Sequence, residues 1–102
     1  MIIRSQNKKA IRNFNLISDL VISKDEKGGW EIIACYPYFA QSDCGFAVIG
    51  TYSTEEKAIK ALDMICEQYM KNQALYIDRE NNARVIPQNS VFQMPADEDV
   101  EV

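Results

Sequence analysis

The sequence predicts an α+β domain, an antiparallel meander of three to four strands packed on one amphipathic helix with one or two short C-terminal strands. Three observations carry this reading. Short β-branched and aliphatic runs separated by Gly- and Asp-rich turns fill the first half of the chain. A single segment after Ser53 then switches to helical spacing. The length of 102 residues, with 47% hydrophobic and 25% charged side chains, fits one ordinary folded domain. The domain is expected over residues 1–95, with 96–102 as an acidic disordered tail.

In order along the chain, Met1–Ser5 reads as a first strand and Gln6-Asn7-Lys8-Lys9 as a polar turn. Asn15–Ser23 is the second strand, with Ile17, Val21 and Ile22 supplying β-branched bulk. Lys24–Gly29 is a polar turn closed by two glycines, a residue that tolerates the positive φ of tight hairpins. The third strand is Trp30–Tyr36 and the fourth Gly45–Tyr52. Pro37 between them would interrupt a central ladder, so the intervening segment is a hairpin tip or a bulged edge.

Ser53-Thr54-Glu55-Glu56 fits a capping box with Ser53 as N-cap and Glu56 three residues on. Ala58, Ala61, Leu62, Ile65, Cys66 and Tyr69 then form one apolar stripe, with Glu56/Lys60 and Glu67/Lys71 as i,i+4 pairs on the other side. The helix ends near Asn72. Leu75–Ile77 and Arg84–Ile86 read as short strands paired across a turn at Asn81-Asn82, and Val91–Met94 as a last strand.

No stretch of about 18 apolar residues is present, and the first residues do not resemble a secretory signal, so a cytoplasmic location is expected. Cys35, Cys44 and Cys66 lack paired spacing and read as reduced thiols, mostly in the core; a Cys35–Cys44 bridge across the hairpin depends on geometry. The net charge of −4 is confined to the tail acids Asp97, Glu98, Asp99 and Glu101, because the rest of the chain balances 11 acidic against 11 basic residues. Arg4, Lys8, Lys9 and Arg12 make the N-terminal segment mildly basic, a smaller excess than nucleic-acid binders use.

Histidine is absent, which removes Ser-His-Asp and Cys-His pairings and nearly all catalytic zinc sites. The carboxylates Glu55/Glu56, Asp25/Glu26 and Asp78/Glu80 read as helix-start and turn residues without the apolar setting of a general acid. Gly50–Ser53 leads into a helix N-terminus but lacks the glycine pattern of a phosphate loop. We therefore expect no enzyme activity, no cofactor and no metal. Three features suit protein binding instead: the aromatic tip Tyr36, Tyr38 and Phe39; Met64 on the charged side of the helix; and the tail Asp97, Glu98, Asp99 and Glu101.

Three segments together, Ile2–Lys8, Gly50–Ala58 running on to Leu62–Ile65, and Val91–Pro95, resemble small uncharacterised proteins encoded in Firmicute genomes, phages and conjugative elements. The resemblance implies an antiparallel sheet with one helix and a mobile-element setting; it carries no functional residue. In that setting the expected function is a non-enzymatic protein-binding module, for example an anti-CRISPR type of inhibitor that engages a basic, nucleic-acid-handling host enzyme through its acidic tail. The alternatives are a homo-oligomeric accessory protein pairing through an edge strand or the aromatic tip, and a small nucleic-acid binder using Arg4, Lys8, Lys9 and Arg12.

Overall fold

A computed structural model describes residues 1–37, 45–71 and 90–102, together with the backbone of 73–77 and 83–87. The chain is α+β, as expected. Strand β1 is Ile2–Arg4 and β2 is Ile11–Asn13; a short 3-10 turn, Phe14–Leu16, leads to β3, Asp19–Lys24. Then come β4 (Trp30–Cys35), β5 (Phe46–Tyr52), the helix α1 (Glu55–Lys71), β6 (Gln73–Ile77), β7 (Ala83–Pro87) and β8 (Val91–Gln93).

β3, β4 and β5 form the expected antiparallel meander, and β6 pairs with β7 as a hairpin. The third sheet has the order β2-β1-β8 and joins the two ends of the chain, because β8 lies parallel to β1. The sequence reading missed β2 and ran the second strand from Asn15. Asn13 explains the break: its side-chain carbonyl accepts from the Asn15 N–H at 2.9 Å and caps the 3-10 turn, so residues 14–16 leave the extended conformation.

One face of the β3–β4–β5 sheet packs on the helix. Ile32, Ala34, Ile49 and Tyr52 meet Ala58, Ala61 and Ile65 in the core, with Ile3, Met94 and Val100 completing it. Burying each of the large aliphatic side chains stabilises the fold by about 1.5–3 kcal/mol. The stripe on α1 is narrower than its spacing suggested: Leu62 is half-buried, while Cys66 and Tyr69 are exposed. Cys35 is a half-buried free thiol and Cys66 an exposed one, so neither belongs to the core. Cys44, like Tyr38, Phe39, Asn72, Asp78, Glu80 and the expected Asn81-Asn82 turn, lies outside the described residues.

The ladder between β4 and β5 is irregular at one place. Ile32 pairs with Gly50 and Ile33 with Val48, so Ile49 is an extra residue in β5, a β-bulge. Its carbonyl accepts from the Gln6 N–H at 2.9 Å. The Gln6 carboxamide continues this junction. It donates to Thr51 O at 3.0 Å and to Pro95 O at 3.1 Å, and accepts from Thr51 N at 2.9 Å. A side chain thus stands in for a strand along the edge of β5 and ties the two sheets together. Met94 N to Arg4 O, and Gln93 Nε2 to Ser5 O, each at 3.0 Å, extend the seam to the C-terminal strand.

Tyr52 reaches the same seam from inside, its hydroxyl donating to Pro95 O at 2.8 Å. Desolvation, and secondarily the charge of Asp97, push its phenol far above the usual tyrosine range. The ring lies close over Gly50, where an added Cβ would stand 3.1 Å from Cε2 of Tyr52, 3.2 Å from its hydroxyl and 3.3 Å from Met94 Cε. Gly50→Ala is therefore expected to destabilise the protein by about 1–3 kcal/mol, the usual range for overpacking. Chemical denaturation of the two proteins measures this directly; equal midpoints would mean that ring and backbone separate freely.

Candidate functional site

The segment after Pro95, expected to be disordered, folds back onto the helix start. Asp97–Asp99 make a 3-10 turn and Val100 is buried, only 3% exposed. Acidic composition suggested solvation, but one apolar side chain and one well-placed carboxylate outweigh it.

That carboxylate is Asp97. Its Oδ1 accepts from the Ser53 N–H at 2.8 Å and from the Ser53 hydroxyl at 3.1 Å. Lys57 closes the other side, with Nζ donating to Asp97 O at 3.0 Å and standing 3.6 Å from Oδ2. The Ser53 N–H above all, helped by the Ser53 hydroxyl and by Lys57, holds the Asp97 carboxyl below its ordinary value of 3.8 against the opposing effect of desolvation. Helix capping is displaced by one residue from the sequence reading. Thr54 is the cap, its hydroxyl accepting from Lys57 N at 3.1 Å, and Glu56 closes no box onto Ser53. Ser53 instead presents its donors to the tail, and the Asp97 carboxylate stands at the helix start.

Of the residues expected to bind a partner, the structure describes Tyr36, Met64 and the tail acids. Tyr36 and Met64 are half-buried, and Tyr38 and Phe39 lie outside the described residues. Asp97 is committed to the clasp, which leaves Glu98, Asp99 and Glu101 as the exposed tail acids. The basic N-terminal residues are also divided. Arg12 pairs with Ile3 and shares its face of the sheet, while Arg4 is on the other face. Arg4 Nε contacts Lys8 O at 3.4 Å, and Lys8 has a φ of 65°, within a loop that buried Ser5 closes by accepting from Ala10 N.

Two apolar surfaces appear that the sequence reading did not single out. The first is the face of the β3–β4–β5 sheet turned away from α1. The registers place Val21, Ile33 and Val48 in one cross-strand row, and Cys35 and Phe46 in the next, beside Asp19. Phe46 is 59% exposed, Val48 44% and Val21 42%. The row beyond, Ser23, Glu31 and Thr51, is polar. The signal was the alternation in Phe46-Ala47-Val48, which is apolar at both parities and so must expose one set. The second surface is a groove of about 410 Å³ between the 3-10 turn, β3 and α1, lined by Phe14, Leu20, Leu62, Ile65, Cys66 and Tyr69. The Phe14 and Tyr69 rings meet at its rim, 5.2 Å apart and tilted by 44°.

No helix among the described residues is long and apolar enough to cross a membrane, and no cluster of metal-binding side chains is found among them. Comparison with known protein families, characterised proteins and solved structures gives no match to this chain.

The clasp has a pH signature. Because the Asp97 pKa is lowered on folding, its contribution is complete above the ordinary aspartate value of 3.8 and is lost as the pH falls through the folded value. Asp97→Asn is expected to lower stability at neutral pH, and the gap to wild type should close below that value. Thr54→Ala should cost about 1 kcal/mol with no such dependence. Thermal unfolding of both variants across this range checks the pair; a D97N deficit constant with pH would assign the effect to packing rather than charge.

Proposed function

We propose that this chain is a non-enzymatic protein-binding module that docks its partner on the outer face of the β3–β4–β5 sheet. The observation supporting this is the contiguous apolar surface of Phe46, Val48, Val21 and Ile33, turned away from the helix and bordered by polar residues on one side. Scattered exposed apolar side chains need no explanation, but a cross-strand cluster of them is the usual signature of an interaction surface. The clustered polar groups are meanwhile engaged within the protein: Gln6 and Gln93 in the seam, Ser53, Lys57 and Asp97 in the clasp.

The partner in this reading is a basic, nucleic-acid-handling enzyme whose action the module inhibits. Glu98, Asp99 and Glu101 supply negative charge at the exposed tail, suited to steering such an encounter, while the apolar face holds the complex.

The two parts separate experimentally. Affinity capture from nuclease-treated host lysate should recover a partner with the wild-type chain and lose it with Phe46→Ser/Val48→Asp, a change expected to weaken binding by about 30-fold or more if this face holds the hot spot. Replacing Glu98, Asp99 and Glu101 by Lys should slow association of the purified pair and leave dissociation nearly unchanged. A partner retained in full by the Phe46/Val48 variant would overturn the assignment of the face.

A further inference from the structure

The open strand edges of this protein differ in how they are protected. The outer side of β5 carries the Ile49 bulge and is covered by Gln6. β2 and β8 are three residues long, and β7 ends in Pro87. Among the described strands, β3 and β6 have none of these devices, and β3 is the longer of the two. It is six residues long, runs in unbroken register with β4, contains neither Pro nor Gly, and stands at the end of its sheet with no described strand on its other side. An edge of this kind is a template for another strand.

Its chemistry selects the strand. Tyr36 N donates to Gly45 O, so even-numbered residues of β4 direct their main-chain groups toward β5 and odd-numbered ones toward β3. In β3, Asp19, Val21 and Ser23 therefore bond to β4, whereas Leu20 and Ile22 aim their N–H and C=O groups outward. Two copies related by a two-fold axis perpendicular to the sheet can pair only in registers that join positions of the same face. Centred on Ile22, Asp19 would oppose Asp25 and Leu20 would oppose Lys24. Centred on Leu20, Asp19 would oppose Val21. Centred on Val21, valine meets valine, Leu20 meets Ile22 and Asp19 meets the Ser23 hydroxyl, with no like charges opposed.

We propose that β3 is a homodimerisation edge, pairing antiparallel with β3 of a second copy about a two-fold axis at Val21. The dimer has a continuous six-stranded sheet. The row Val48, Ile33, Val21 runs across the axis into the same row of the partner protomer, doubling the apolar outer face. On the inner side, Leu20 lines the apolar groove at this margin, so the second copy extends an apolar wall there as well. This inference does not depend on the partner proposed above.

The test is cross-linking at the axis. Val21 would face its own copy in a non-hydrogen-bonded pair, where Cα atoms approach to about 4.5 Å, within disulfide reach. With Cys35, Cys44 and Cys66 replaced by Ser, Val21→Cys should oxidise to a covalent dimer of about twice 11.7 kDa, and Ser23→Cys should not. In the native chain, sedimentation should give a dimer mass that Val21→Lys, at a site already 42% exposed, reduces to the monomer. A monomer at high micromolar concentration overturns the proposal. So does a dimer unaffected by V21K, or cross-linking of S23C in preference to V21C.

Discussion

Ile49 is inserted opposite an unbroken β4, and the insertion turns its carbonyl out of the ladder toward Gln6. Much of the architecture hangs on that turn. The bulge keeps the Ile49 side chain in the core, 1% exposed, while its backbone becomes the attachment point for the terminal sheet. Without the bulge, every residue of β5 beyond it would shift by one position and exchange faces, moving Tyr52 from the core to solvent. The Gln6 carboxamide then bridges Thr51 and Pro95, so a single side chain satisfies polar groups from two distant regions of the chain. The three bonds fix the carboxamide in one orientation, with its N–H2 toward Thr51 O and Pro95 O and its oxygen toward Thr51 N.

The C-terminal clasp depends on the same junction. Tyr52 and Gln6 both donate to Pro95 O, and that places Asp97 over the helix start, where Ser53 and Lys57 supply its donors. The positive end of the helix dipole favours a carboxylate at this place. The two ends of the chain are thereby brought to one side of the meander, since β8 runs beside β1. Polar chemistry is spent on holding this half together. The opposite surface, the outer face of the sheet, is left apolar and open.

The meander and the helix were legible from local pattern. Alternation marks β3 through β5, the Gly28-Gly29 turn closes the first hairpin with Gly28 at a φ of 89°, and the spacing of Ala58, Ala61 and Ile65 marks the buried side of α1. These are short-range signals, readable because each is set by neighbours within a few residues. The hairpin of β6 and β7 followed from two short apolar runs flanking a polar one. The helix cap was displaced by one residue because Ser53 and Thr54 are chemically equivalent as caps, and a residue 44 positions away, Asp97, decides between them by taking the Ser53 donors.

By itself, then, the sequence determined the class of fold, the presence of an antiparallel meander, the single amphipathic helix and the concentration of negative charge at one end. Tertiary structure alone decided the bulge at Ile49, the parallel pairing of the first and last strands, the packing of Val100, and which apolar residues of β3 and β5 stay outside. The physical reason is sequence distance. Periodicity reports which residues share a face of an element, but which face is covered depends on contacts between segments up to 89 residues apart, such as Gln6 and Pro95, and no local pattern encodes them.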